Sequence, residues 1–330
     1  MESTYGTGSC FTAKIPQKVV DATPMGDFGK RYQQYLRSSD SDSLTFSAPD
    51  AKILVVDDVD MNLKVVKGLL KETKIQIDTA VSGRECLERV EKKRYDVIFL
   101  DHMMPEMDGI ETLQNMKLLT DNPNREVPVI MLTANAIVGA KEEYMQAGFT
   151  DYLTKPIQET VLLEMLLKYL PKELVYEEKE ITGSKDTMQT ELTEHSEGAG
   201  TAEKCDMAET GKMQRLESLE GLDVKTGLSY CMKEEDFYVE MLGEYLKSDK
   251  VSKLELLFAD EDWDNYRTLV HALKSTSLTI GAAHLSEAAK ALEMAAKDGD
   301  ADYIRSHHKA ALDEYIELMG RIKEILESDK

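Results

Sequence analysis

Five side chains able to do chemistry stand at the ends of successive apolar runs. Asp57 and Asp58 follow Ile53-Leu54-Val55-Val56, and Asp101 follows Val97-Ile98-Phe99-Leu100. Thr133 follows Val129-Ile130-Met131-Leu132, and Lys155 stands past Phe149 to Leu153, just before Pro156. Three carboxylates brought together repel, and each costs free energy until a cation neutralises it. Oxygen donors without Cys or His favour a hard ion, Mg²⁺ with several waters. A hydroxyl and an ammonium opposite that ion suit additional oxyanions, so the set fits phosphoryl chemistry, which rests on positioning and charge neutralisation. A carboxylate that attacks phosphorus forms an acyl phosphate. Singly, an Asp after a strand is an ordinary turn residue; five such positions at successive run ends make coincidence the weaker reading.

These residues need a scaffold that brings run ends together. The runs at 53–56, 97–100 and 129–132 are apolar throughout, as strands buried on both faces should be. Weaker strands are expected at Ile75 to Ala80 and Phe149 to Leu153. Helical spacing lies between them: Leu63, Val66, Leu69 and Leu70, then Cys86, Leu87 and Val90. Five strands alternating with five helices over 51–170 predict an open parallel sheet with right-handed crossovers. In such a sheet function gathers at the carboxyl ends of the strands.

Residues 213–330 carry helical spacing throughout and predict an antiparallel bundle. Phe237, Met241, Leu242 and Tyr245 make one stripe, and Leu285, Ala288, Ala289, Leu292 and Ala296 another. The last runs from Ile304 through Ala311, Leu312, Tyr315, Leu318 and Ile322 to Ile325. On a helix over Tyr266 to Ile280, Tyr266, Leu269, Val270, Leu273, Ser277 and Ile280 share the core face. His271 falls on the outer stripe with Lys274, Ser275 and Leu278, an accessible nucleophile beside a cation that could steady an incoming phosphoryl group. His102, His195, His284, His307 and His308 are assigned no role; His307 and His308 point apart on a helix and do not make a metal pair.

The stretches Ile53 to Asp58, Phe99-Leu-Asp-His-Met-Met-Pro-Glu-Met-Asp-Gly109, Met131-Leu-Thr-Ala134 and Asp151-Tyr-Leu-Thr-Lys-Pro156 resemble the receiver domain of two-component response regulators over 51–170. The resemblance implies a flavodoxin-like (βα)5 fold with sheet order 2-1-3-4-5. It implies Asp101 as phosphoacceptor, and Mg²⁺ held by Asp57, Asp58, Asp101 and the backbone carbonyl of Met103. It also implies Thr133 and Lys155 as phosphoryl contacts and Tyr152 as a switch aromatic. Val59 departs from the Asn that many kinase-attached receivers carry there, which bears on the lifetime of the acyl phosphate. His271-Ala-Leu-Lys-Ser275 resembles the H-x-L-K-[GS] motif of histidine phosphotransfer (HPt) domains. That resemblance covers 213–330 and implies an all-α up-and-down bundle with His271 as the phosphohistidine on an exposed face and Lys274 beside it. Cys10 to Ile15 is the strand-like piece of 1–48, and Tyr5-Gly-Thr-Gly-Ser-Cys-Phe-Thr-Ala-Lys-Ile-Pro16 resembles the last strand of a histidine-kinase ATPase domain, so 1–50 is expected to be a largely disordered remnant and linker.

Composition narrows the class further. The formal charge is −22, a poor match for nucleic acid or an anionic lipid surface. No apolar run approaches a bilayer span, no secretory leader is visible, and four scattered cysteines read as reduced thiols, so a cytoplasmic chain is expected. Residues 171–212 hold eleven acidic residues against five lysines and few aliphatics, the composition of a disordered linker. The expectation is therefore the C-terminal part of a hybrid sensor kinase, from a truncated gene or a late start. A receiver, an acidic linker and an HPt domain would take phosphoryl from an upstream histidine kinase and pass it to a downstream response regulator. No H-box, Asn-rich nucleotide box or D-x-G-x-G loop is present, so autophosphorylation is not expected. The rivals are kinase activity when those domains are supplied, and a receiver scaffold that is never phosphorylated.

Overall fold

A computed structural model describes residues 2–4, 8–10, 46–134, 140–177 and 211–328, with backbone only at 2–4, 8–10, 140–143 and 177. Met1–Ser43 and Leu44–Lys330 are separate compact units. In the first, β1 (Glu2–Thr4) pairs antiparallel with β2 (Gly8–Cys10). The expected strand at Cys10 to Ile15 falls almost wholly outside the described residues. Most of the 1–50 remnant and linker likewise lies outside the described residues.

The second unit begins with a clip. β3 (Phe46–Ser47) pairs antiparallel with β9 (Tyr176–Glu177), joining the two flanks of the α/β region. Between them lie β4 (Lys52–Val56), α1 (Asp60–Leu69), β5 (Gln76–Ala80), α2 (Gly83–Lys92), β6 (Val97–Asp101) and α3 (Gly109–Leu118). β7 (Val129–Thr133), α4 (Ala140–Ala147), β8 (Asp151–Thr154) and α5 (Glu159–Tyr169) follow. The sheet is wholly parallel in the order β5-β4-β6-β7-β8, which is 2-1-3-4-5 counted within the sheet. The last strand begins at Asp151, two residues later than expected. Phe149 instead packs into the core and Thr150 donates its amide to Val129.

Alternation along the strands splits the core in two. Ile53, Val55, Val97, Phe99, Ile130 and Leu132 face α1 and α5. Leu54, Val56, Ile98, Leu100, Val129 and Met131 face α2, α3 and α4. With both faces covered, the continuous apolar runs of the sequence are explained.

The helical region contains a segment over 211–217, then α6 (Val224–Ser229), α7 (Glu235–Lys247), α8 (Val251–Ala259), α9 (Trp263–Thr279), α10 (Ala283–Asp298) and α11 (Ala301–Glu327). Asp223, Asp262 and Asp300 cap α6, α9 and α11, each side chain accepting an amide three residues on. Gly299, at φ +73°, ends α10 in the left-handed conformation that glycine adopts without strain. The first apolar cluster does not stop at the α/β region. It runs on through Leu216, Tyr238, Met241, Tyr245, Val270, Leu273, Leu292 and Tyr315, so the bundle packs on the α1/α5 side of the sheet.

One close approach sets the site itself. Asp108 caps α3 by accepting the amide of Glu111, and the Gly109 amide donates to the His102 carbonyl. A Cβ on Gly109 would stand 2.2 Å from the Asp101 carbonyl oxygen. Gly109→Ala should therefore shift the end of β6 and destabilise the chain by about 1–3 kcal/mol, the usual cost of overpacking. Thermal unfolding that matches the parent would contradict this close approach.

Candidate functional site

Parallel strands deliver the five sequence-selected residues to one edge. Asp57 and Asp58 leave β4, Asp101 ends β6, Thr133 ends β7 and Lys155 leaves β8. Backbone bonds fix two of these exits: the Asp57 amide donates to Ala80, and the Lys155 amide to Thr133. Carboxylate oxygens of Asp57, Asp58 and Asp101 lie within 4.8 Å of one another. Lys155 Nζ sits between two of them, 2.6 Å from Asp57 Oδ2 and 2.8 Å from Asp101 Oδ1. Asp57 Oδ1 accepts the Val59 amide at 3.0 Å and Asn62 Nδ2 at 2.9 Å. Asn62, one turn into α1, was not anticipated; an isolated Asn on a helix carries no signal of that contact.

Burial sets the charge state of the cluster. Burial and the neighbouring Asp57 push Asp58 up to about 6. Burial, with Asp57 and Asp58 adding to it, raises Asp101 well above the carboxylate range, against the pull of Lys155. Burial works against the ammonium of Lys155, but Asp101 and Asp57 outweigh it and raise its pKa. Such a cluster holds surplus negative charge that one lysine does not neutralise. Its donors are all oxygens, and a hard divalent cation fits them. Met103 lies two residues past Asp101, in the loop that leaves β6.

Thr133 Oγ1 lies 3.1 Å from the Tyr144 hydroxyl. Tyr144 in turn packs against Tyr152, at 6.3 Å between ring centres, and edge-on to His102. The aromatic in direct contact with Thr133 is therefore Tyr144, from α4. Tyr152, the expected switch, is half-buried one ring further out.

The bundle supplies the second half of the site. His271 Nδ1 is 2.8 Å from Glu293 Oε1, and Lys274 Nζ is 2.5 Å from Glu293 Oε2. Ser286 Oγ donates to the Lys274 carbonyl, tying α10 to α9 beside the histidine. Burial opposes ionisation of Glu293, but the hydrogen bond and charge of its two partners hold it at about 2. Burial lowers His271 below its ordinary 6.5, with Lys274 and Lys155 adding to the effect against Glu293. The imidazole is thus neutral at pH 7. A carboxylate only accepts, so Nδ1 carries the proton and Nε2 keeps its lone pair. Nε2 is buried and makes no hydrogen bond.

The sequence placed His271, Lys274 and Ser275 on an exposed stripe, and this is corrected. They are 5%, 6% and 4% exposed. Their helical phase was read correctly, because Tyr266, Val270, Leu273, Ser277 and Ile280 do face the bundle core. The opposite stripe is covered by α10 and by the α/β region. Lys155, Pro156, Ile157, Asn62 and Val65 line a small gap together with Ser275 and Thr279 of α9. Lys155 is near enough to act electrostatically on His271, as Lys250 from the loop before α8 is on Asp58. The carboxylate edge and the histidine stripe thus face each other across one interface. Glu293 was missed because it belongs to a different helix 22 residues on, and only tertiary packing brings it to His271.

Comparison with known proteins agrees with this division. Residues 53–167 match the response regulator receiver domain and residues 240–326 the Hpt domain. The chain is 39% identical over 119 residues to the signal transduction histidine-protein kinase BarA of Shigella flexneri, covering 36% of this chain and 13% of that protein. It is 27% identical over 290 residues to the sensor histidine kinase GacS of Pseudomonas protegens, covering 87% of this chain and 28% of that one. Among solved structures, the receiver domain of the Pseudomonas aeruginosa sensor histidine kinase PA1611, described with magnesium in its active-site cleft, is 32% identical. It covers 36% of this chain and 96% of its own, with a TM-score of 0.33. The chain thus carries a response regulator receiver domain followed by an Hpt domain, and the relatives it resembles are histidine kinases. It spans well under a third of the length of these curated relatives. No described helix is long and apolar enough to cross a membrane.

Two outcomes follow from the His271–Glu293 pair. Glu293→Ala frees the imidazole to rotate and to take the other tautomer, and phosphoryl acceptance by His271 should fall about 10–100-fold. Glu293→Gln, which keeps an acceptor for Nδ1–H, should recover part of the loss in a single-turnover transfer assay. Acceptance also requires neutral Nε2. Protonation blocks it, and burial places the pKa below 6.5. Transfer rate against pH should stay level as pH falls through 6.5 and decline only at more acid pH; a midpoint at or above 6.5 would contradict the burial argument.

Proposed function

We propose that this chain relays phosphoryl groups from Asp101 to His271, and from His271 to the receiver of a downstream response regulator. An upstream histidine kinase, or a small acyl phosphate, loads Asp101. Asp57, Asp58, Asp101 and the Met103 carbonyl would hold Mg²⁺, which would supply charge neutralisation at the phosphoryl oxygens. Thr133 and Lys155 contact those oxygens, and Tyr152 follows Thr133 through Tyr144. In the second transfer the Nε2 lone pair of His271 attacks phosphorus. The N–P bond forms, the bond from phosphorus to the Asp101 oxygen breaks, and Asp101 leaves as a carboxylate. Glu293 keeps the Nδ1 proton in place and steadies the ring as positive charge develops on it. Lys274 neutralises Glu293 and stays near the transferred group.

The observation that carries this reading is the unpartnered Nε2 of a neutral, carboxylate-oriented histidine near enough to Lys155, the cation on Asp101, to feel its charge. The working chain is then 51–170 for loading, 213–330 for relay, and a tether between, acting in the cytoplasm.

The test is phosphoryl trapping with Mg²⁺ and acetyl phosphate. The parent should yield a hydroxylamine-sensitive acyl phosphate and an acid-labile phosphohistidine. Asp101→Asn should lose both, and His271→Gln only the second. Unchanged labelling of Asp101→Asn would sink the relay and favour a non-phosphorylated scaffold.

A further inference from the structure

The contact between the two domains extends beyond the reacting residues. Lys64, on α1, lies 2.8 Å from Glu244 Oε1 and 4.0 Å from Glu240 Oε1, both on α7. One turn along α1, Gly68 receives the ring of Phe237: a Cβ on Gly68 would lie 2.3 Å from Phe237 Cζ. The glycine is a notch and the phenylalanine fills it. Neither feature touches Asp101 or His271. Both bind the same two helices, and together they set the register in which α9 meets the carboxylate edge.

We propose that α7 carries a docking surface for the α1 helix of this chain's own receiver, with Phe237 in the Gly68 notch and Glu244 on Lys64, and that this clamp withholds His271 from receivers of other chains while it is closed. The inference rests on the relay reading and extends it to partner choice. His271 has one nucleophilic atom, and that atom is buried while the two domains are packed together. A second receiver must reach the same atom over the same face. Two receivers cannot occupy it together, so the internal receiver competes with every external one. The competition is weighted towards the internal receiver, because it belongs to the same chain and its docking is intramolecular. Export of the phosphoryl group thus requires the clamp to open. An external receiver is then selected by whether its own α1 offers a small residue and a cation where Gly68 and Lys64 stand.

Charge reversal tests the clamp, because the same pair can be broken from either side. Like charges facing across an interface oppose docking. Lys64→Glu and Glu244→Lys should each slow Asp101-to-His271 transfer within one chain by about tenfold, and the double swap should restore it. Loading of Asp101 from acetyl phosphate should not change. Transfer between chains separates the two sides. The donor is the full chain carrying His271→Gln, loaded on Asp101; the acceptor is the full chain carrying Asp101→Asn. An acceptor that also carries Lys64→Glu has released its own receiver but still offers Glu244 to the donor's Lys64, and it should be phosphorylated about tenfold faster. An acceptor that carries Glu244→Lys has released its receiver too, but it repels the donor, and it should show no gain. Equal behaviour of the two acceptors, or unslowed transfer within the single-reversal chains, overturns the proposal.

Small-angle scattering reads the clamp without chemistry. The radius of gyration should rise in Lys64→Glu and in Gly68→Ala, and return in the charge-swapped double variant. No change in either single variant overturns the clamp even if relay occurs. An absent phosphohistidine in the parent, with this scattering pattern intact, counts against the relay reading and not against the clamp.

Discussion

Everything at the receiver edge depends on one ammonium. Asp57 and Asp101 are both almost wholly buried, and Lys155 is the cation between them. Removing one partner of such a group leaves an uncompensated buried charge, which costs several kcal/mol. The strands meet that requirement by construction. A parallel sheet aligns carboxyl ends, so residues 57, 101 and 155 come together without any being near another in sequence. The Lys155 amide is bonded to Thr133, which fixes the lysine at the edge before its side chain does anything. The surplus charge that Lys155 leaves is what makes the edge receptive to a divalent cation and, with it, to a phosphoryl group.

The bundle solves the complementary problem. A histidine that accepts phosphorus must be neutral, must present one nitrogen, and must hold that nitrogen still. Burial secures the first, against the pull of Glu293. Glu293 secures the second by accepting a hydrogen bond from Nδ1–H, and the Lys274 and Ser286 contacts secure the third. In the relay proposed above, the loaded receiver site would be the electrophile and the uncharged Nε2 the nucleophile, and a buried interface that excludes water would favour transfer over hydrolysis.

Helix α9 shows what the docking demands. From Val270 to Ser277 every residue is buried, although five of the eight are polar. One face belongs to the bundle core and the other to the receiver. The polar members are satisfied mainly from within the bundle: Thr276 and Thr279 bond back along the helix, Ser277 meets Tyr245, and Lys274 meets Glu293. Ser275 Oγ and His271 Nε2 remain without hydrogen bonds on the receiver side, where small size and an open lone pair serve close approach. Polar residues on an amphipathic helix ordinarily mark solvent, so the pattern pointed outward; a second domain makes the same stripe an interface.

The residues themselves determined much of this. Continuous apolar runs required a sheet covered on both faces, and their ends put Asp57, Asp58, Asp101, Thr133 and Lys155 on one edge, because strand alternation and crossover handedness are local and chiral constraints. Helical phase placed His271, Lys274 and Ser275 together opposite the core, because 100° per residue is fixed by backbone geometry. Only the tertiary structure decided who stands across from them. Asn62 on Asp57, Tyr144 rather than Tyr152 on Thr133, and Glu293 on His271 are contacts between elements separated in sequence, and nothing in periodicity specifies a partner at that distance. The burial of His271 was likewise undetermined by its own helix, because accessibility belongs to the assembled surfaces and not to the stripe: the sequence could set which way the histidine points, and the fold alone could set what it points at.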